Sequence, residues 1–264
     1  MSSRGIRLDL DRILGAAFVL LVLVFLFAPA AIMVLFAFEA SSRWTFPMTG
    51  LSLRWFEKAI GGQGFADALL TSVIAAVISG LLAGTIGTAA AFGLQHLRPS
   101  RRQVASLITM LPATFPPLML GIGMIVLVRS VGFRPGLATI ILAHTIIGVP
   151  FVISTVGAQL DRFDFSLLEA ARDLGASGAR AARDVIYPLV RAAVVGSFFL
   201  SAALSVEEFI VTFFVKGDET TVPILMWGLM RLGIDSTINA LAALVLFATV
   251  GLAIIANRAT KVEV

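Results

Sequence analysis

Two adjacent carboxylates, Glu207 and Glu208, interrupt a run built otherwise from apolar and small hydroxyl side chains. A charge placed in hydrocarbon costs about 2.5–3.5 kcal/mol on insertion scales unless it is paired or hydrated, so this pair needs a chemical reason. Neighbouring residues on a helix point about 100° apart and cannot share a face. Ser197, Ser201, Ser205, Glu208 and Thr212 follow one another at spacings of four, four, three and four, which on one unbroken helix makes a polar stripe fit to line a water-filled path. Glu207 instead has Leu200, Ala203, Leu204, Val211 and Phe214 around it. The expected path residues are therefore Ser201, Ser205, Glu207, Glu208 and Thr212, with Glu208 facing the path. Glu207 is expected to be structural, bonded to another helix. A carboxylate pair serving helix packing near a membrane boundary fits the same residues.

Other chemistry finds no support. The only lysines are Lys58, Lys216 and Lys261, and none closes a GxxxxGK[ST] phosphate loop. HExxH and GxSxG motifs are missing, and His96 and His144 lie far apart in the chain. No catalytic residue, cofactor or metal ligand is expected, and the chain reads as no enzyme. His144 reads as a hydrogen-bonded packing histidine.

The elements that must position the carboxylates are membrane spans. Of the 264 residues 58% are hydrophobic and 14% charged, against about a quarter charged in a soluble domain. About 20 predominantly apolar residues cross the roughly 30 Å hydrocarbon core as a helix. Residues 13–38, 69–94, 104–128, 137–158, 192–215 and 238–256 qualify, giving an all-α polytopic protein with six transmembrane helices. Arg4, Arg7 and Arg12 before an apolar stretch could mark a signal peptide, but the run continues to Phe38 and reads as a retained span. Arginine is concentrated at 98–102, 162–191 and both termini, which places both termini and the loop 159–188 in the cytoplasm. The expected organisation is a cytoplasmic tail at 1–12, a six-span domain at 13–257 and a cytoplasmic tail at 258–264. The basic bias is accounted for by this topology, and no nucleic-acid partner is inferred. Cysteine is absent, so redox chemistry says nothing of the compartment.

Within this frame the outer loop 39–67 carries Trp44, Trp55 and Phe56, suited to the headgroup level. Gly80 and Gly84, followed by Gly87, allow close helix approach. Pro112, Pro116, Pro117, Gly121 and Gly123 interrupt the third span, either to line a polar cavity or as a plain kink. Thr221 and Pro223 start a short outer helix that Gly233 ends, and Asp235-Ser236-Thr237 opens the last span.

The loop 159–188 contains the most ordered signal. Ser166 and Glu169 have capping-box spacing, and Gly175 stands where a left-handed residue ends a helix of about two turns. Leu167, Leu168, Ala171 and Leu174 share one face, Ser177 caps a second helix, and Pro188 interrupts it near the membrane. Such a hairpin could lie on the membrane or fill a hydrophobic groove on a partner.

The stretch EAARDLGASGARAARDVIYP resembles the EAA motif of bacterial binding-protein-dependent ABC importer permeases, written EAA, three residues, Gly, nine residues, then I-x-L-P. Glu169, Ala170, Ala171, Gly175 and Pro188 match in register, while Val185 and Tyr187 replace the usual Ile and Leu. LSLRWFEK, GVPFVISTV, LSVEEFIVTFFVKG and VPILMWGLMRLGIDSTINALA are similar to the spermidine/putrescine permeases of that family. The resemblance implies a type I importer permease fold in a bacterial inner membrane, with Leu168, Glu169, Ala170, Ala171, Leu174, Gly175 and Pro188 forming the ATPase-coupling loop. It also implies as partners a cytoplasmic ABC ATPase dimer, a second permease expected as a different chain, and an extracytoplasmic substrate-binding protein, all in a lipid membrane. The expected cargo is a polyamine or similar small organic cation. Ferric iron, a phosphonate or an opine-like compound would suit the same machine, and an ion-coupled carrier using Glu207 and Glu208 as a relay is the alternative from another class.

Overall fold

Phe115, Pro116 and Pro117 set the sharpest feature of the backbone. A residue before proline is pushed out of the helical region, and Phe115 and Pro116 accordingly take extended ψ values of 139° and 132°. Helix α4 (Pro99–Thr114) thus ends there, α5 (Pro117–Ser130) restarts on a proline, and the two axes meet at 97°. The computed structural model describes residues 3–41, 47–162, 164, 166–233 and 236–260, which divide into two units, 1–62 with 229–244 and 63–228 with 245–264.

In the larger unit α3 (Phe65–Gln95) packs against α6 (Leu137–Leu160) and α9 (Tyr187–Glu207), and α6 against α9. One apolar cluster joins Ala83, Ala91, Val152, Val156, Leu160, Ile186 and Val190, and another joins Ala75, Met124, Ile140, Ala143, Val211 and Val215. The glycines on α3 divide between its neighbours. Gly80 faces the Phe198 ring of α9, and Gly87 lies against Val152 of α6, where an added Cβ would sit 2.6 Å from the valine Cβ.

The ends of these helices fix how the chain runs. Gln95 and Arg102 both donate to Asp161 Oδ1, so α3 ends, α4 begins and α6 ends at one side. Gly136, at the start of α6, bonds to Val215 at the end of α10 (Ile210–Val215), which marks the other side. The bent pair α4 and α5 must carry the chain from the first side to the second, and therefore crosses as one span. With it, the five helices long and apolar enough to cross become six.

Several expected boundaries move. The first helix, α1 (Ser3–Ala37), extends into the stretch expected as a tail, while its apolar span, Arg12–Ala37, agrees with the expected one. The fifth span is not continuous: α9 stops at Glu207 and α10 resumes at Ile210. Pro188 does not interrupt a helix; after α7 (Ser166–Asp173) and α8 (Gly178–Ala181), a π-helical turn Ala182–Ile186 leads directly into α9 with Pro188 in its first turn. There its missing N–H is least costly. The short helix α11 (Val222–Leu232) begins with the Val222 N–H donating to Ser72 Oγ at 2.9 Å and ends before Gly233 at φ +140°. The last span is α12 (Ser236–Thr260). Trp44, Asp235 and Lys261 lie outside the described residues.

In the smaller unit the outer loop is tied by a carboxylate. Glu39 is fully buried and accepts from the N–H groups of Ser41 and Thr49 at 3.0 and 3.1 Å and from the Thr49 hydroxyl. The Thr49 hydroxyl foremost, then the Ser41 N–H, hold its pKa below the ordinary value. Trp55, expected at the headgroup level, is instead buried on the short helix α2 (Arg54–Ile60) with its indole N–H donating to the Glu39 carbonyl at 2.6 Å.

The glycine contacts give a direct check. Gly87→Ala should destabilise the fold by about 1–3 kcal/mol through overpacking against Val152, whereas Gly84→Ala should be close to neutral because its Cβ would meet Phe198 at 4.0 Å. Thermal unfolding in detergent reads both; equal midpoints would contradict the assigned faces.

Candidate functional site

Two places carry the expected functional residues. The first is the break in the fifth span. Glu208 has φ −70° and ψ 115°, outside the helical region, so Ser205, Glu208 and Thr212 do not lie on one helical stripe, and that expectation is corrected. The Glu208 carboxylate turns back onto α10, where Oε1 accepts the Val211 N–H at 2.8 Å. This satisfies one of the donors that a helix start leaves open. Glu207, expected as the structural member, is exposed and makes no side-chain hydrogen bond or ion pair among the described residues.

The hydroxyls of the expected stripe face the chain's own interior. Ser201, Ser205 and Thr212 are buried. His144 of α6 lies between the last two, with Nδ1 2.6 Å from Ser205 Oγ and Nε2 2.7 Å from Thr212 Oγ1. Thr212 Oγ1 donates to the Glu208 carbonyl at 2.9 Å, so it accepts from Nε2–H, and Nδ1 accepts from the Ser205 hydroxyl. The reading of His144 as a hydrogen-bonded histidine is thus met, though its two partners straddle a break the sequence did not reveal. Beside the break, Phe209, Phe213 and Trp227 form an aromatic cluster with ring centroids 5.0–6.0 Å apart.

The second place is α7. Its expected capping box is corrected: Ser166 is already helical, and its N–H donates to the Asp164 carboxylate at 2.9 Å. That bond, with the Ser166 hydroxyl, holds the Asp164 pKa below its ordinary value. The signal was present as an aspartate two residues ahead of the helix. The other end behaves as the glycine implied. Gly175 has φ +88°, its N–H donates to the Arg172 carbonyl at 2.9 Å, and the Ala176 N–H donates to Ala171 at 3.0 Å. This pair of bonds is a Schellman closure. Ser177 Oγ then accepts the Arg180 N–H at 3.3 Å and caps α8.

The α7 side chains divide between two directions. Leu168 packs against the cluster containing Val152, Leu160 and Ile186. Leu167, Ala170 and Leu174 are exposed, Leu174 at 90%. Glu169 and Gly175 are exposed too. The single apolar face expected for Leu167, Leu168 and Leu174 is therefore split: Leu168 anchors the helix, and Leu167, Ala170 and Leu174 point away from the chain.

Asp161 ties this loop to the helix ends. It stands at the end of α6, three residues before Asp164, accepts from Gln95 Nε2 at 2.9 Å and pairs with Arg102. The Gln95 amide first, and Arg102 second, hold its pKa below the ordinary value. The ties are therefore present at neutral pH and lost as pH falls through that lowered pKa. Both charged side chains are exposed, so the stabilisation is small and screened by salt. Long-range pairing of this kind leaves no local sequence pattern.

Asp164→Ala should speed amide exchange across the first turn of α7, while Glu169→Ala leaves it unchanged. Exchange faster in the Glu169 variant would restore the capping-box reading.

Comparison with known proteins adds a family. Residues 83–262 match the model of the binding-protein-dependent transport system inner membrane component. The chain is 29% identical over 246 residues to the spermidine/putrescine transport system permease protein PotC of Haemophilus influenzae, covering 93% of this chain and 95% of that protein. It is 30% identical over 231 residues to the putrescine transport system permease protein PotI of Escherichia coli, covering 84% and 82%. Its fold is similar to a chain in the crystal structure of a bacterial alginate ABC transporter in complex with an alginate pentasaccharide-bound periplasmic protein, with TM-score 0.71 at 15% identity over 98% of this chain and 97% of that one.

Proposed function

We propose, starting from the fact that this chain belongs to the binding-protein-dependent transport system inner membrane components, that it carries a polyamine or similar small organic cation inward across a bacterial membrane. It is the permease subunit of an ABC importer. In this reading it works with a cytoplasmic ATPase dimer, a second permease of different sequence and an extracytoplasmic binding protein, and both its termini are cytoplasmic.

The observation that carries the coupling half of the proposal is the build of α7. A helix of eight residues cannot hold itself, yet this one is capped by Asp164, closed by Gly175 and anchored through Leu168. What it presents outward is an apolar edge, Leu167, Ala170 and Leu174, which an ATPase groove can grip. A displacement of that groove then reaches α6 through the short connector from Asp161 to Asp164. Glu169, Ala171 and Pro188 take part as the flank, the Schellman acceptor and the start of α9.

The cation half rests on the break. The last carbonyls of α9 lose their intrahelical partners there, and a helix C-terminus attracts positive charge. Glu207 adds an unpaired carboxylate, and the Phe209, Phe213 and Trp227 rings add faces that attract ammonium groups. Glu207 thus becomes the path carboxylate and Glu208 the residue that holds the break open, the reverse of the order read from spacing. Ser201, Ser205 and Thr212 shape the path by packing behind it. The names of the two relatives reported above, spermidine/putrescine and putrescine permeases, favour a polyamine over other cargo.

Two measurements on the reconstituted transporter test these halves. Gly175→Val must hold a branched residue at positive φ, costing roughly 1–2 kcal/mol. It should insert normally but lose ATP-driven uptake, while Gly175→Asn, which tolerates that conformation, retains most of it. Full coupling in Gly175→Val would sink the docking assignment. For the path, Glu207→Gln should slow uptake of putrescine at subsaturating concentration several-fold, and Glu208→Gln should slow it less because an amide oxygen can still accept the Val211 N–H. The opposite order would return the path to Glu208.

A further inference from the structure

We infer that His144 is a positioning residue of the transport path: it pins the two halves of the broken fifth span, and through them sets the place of the Glu207 carboxylate. The inference rests on the path reading and adds a residue to it. Ser205 lies two residues before Glu207, on α9, and Thr212 four residues after Glu208, on α10. The imidazole is buried, with 3% of its surface exposed, and each of its nitrogens takes one of these partners. A single side chain from α6 therefore holds both sides of a break that has no continuous backbone ladder across it.

The hydrogen bonds run in one direction. Ser205 donates to Nδ1, Nε2–H donates to Thr212, and Thr212 donates to the Glu208 carbonyl at the break. The far end of α10 is tied to the same helix, since Thr139 Oγ1 and the Gly136 N–H both donate to the Val215 carbonyl, at 2.7 and 3.1 Å. The middle and the end of α10 are thus both hydrogen-bonded to α6, while Val211 and Phe214 pack against Gly121 and Met124 of α5. Among the described residues, the hydrogen bonds that define the junction of α9 and α10 are those of His144, the Thr212 bond to the Glu208 carbonyl and the Glu208 cap on Val211. Packing alone would be served by an apolar residue of similar size in this apolar surround. An imidazole with both nitrogens used instead fixes distance and direction between two half-helices.

The test uses the complete transporter with its ATPase, reconstituted with binding protein, and putrescine as the probe. His144→Leu removes both bonds at similar volume, whereas His144→Gln can still offer one acceptor and one donor. His144→Leu should raise the apparent KM for putrescine about tenfold, with ATPase copurification and membrane abundance unchanged, and His144→Gln should stay within about threefold of the wild type. In a Glu207→Gln background the His144→Leu effect should vanish, because the carboxylate it positions is gone. Wild-type KM in His144→Leu, or an undiminished effect without the Glu207 carboxylate, would overturn the inference, the second by reducing His144 to packing. If His144→Leu fails to accumulate, Thr212→Val replaces it in the same comparison and is read by the same outcomes. Wild-type uptake by Glu207→Gln itself would defeat the path reading. The pin would then stand or fall on whether Thr212→Val alone raises the KM.

Discussion

Hydrocarbon offers no hydrogen bonds, so every backbone group at membrane depth must be satisfied within the protein. The rest of this chain is arranged around that constraint. Unbroken spans meet it by helix geometry alone, and the places where helices stop show what replaces the missing partners. At the 97° turn two prolines have no N–H to satisfy, and the Leu120 N–H returns to the Pro116 carbonyl. At the second break the Glu208 carboxylate takes the Val211 N–H and the Thr212 hydroxyl serves the Glu208 carbonyl, with the His144 ring holding Thr212 in place. The polar residues in the fifth span are thus first of all the consequence of breaking it. The result is a helix end, with its dipole and an exposed Glu207, in the middle of an otherwise apolar span.

The same economy of contacts governs the side carrying Asp161. Gln95, Arg102 and Asp161 gather the ends of three helices, and Asp164 starts α7 three residues later. Each tie is weak on its own, being exposed. Together they place a small amphipathic helix where its inner residue, Leu168, packs half-buried against α6 and α9 and its outer edge is bare. On the proposed coupling, this bare edge outside the bilayer is where the work of a soluble ATPase enters the membrane subunit.

Much of this was legible in the sequence, for reasons that differ from element to element. Span length and apolar content depend only on composition, so the six spans could be read directly. Two consecutive prolines after a third, Pro112, announced an interruption, though not its angle. Gly175 announced a left-handed turn because its position after Leu174 satisfies a local rule. Periodicity failed at Glu208, where spacing assumes a continuous helix and the stripe it drew across the break does not exist. Trp55 was misplaced because its indole partner, the Glu39 carbonyl, lies 16 residues away. Asp161 with Arg102, and His144 with Ser205 and Thr212, are pairings over long separations that no local pattern encodes.

The central claim is that this chain is a passive path, moved by an ATPase that grips α7. The most direct measurement is putrescine uptake into vesicles holding this chain with its second permease, with the binding protein outside, compared with and without the ATPase and ATP. Uptake only when both ATPase and ATP are present is the predicted result. Uptake by the membrane subunits without ATP, driven by an ion gradient, would contradict the account and make the carboxylates at the break a relay.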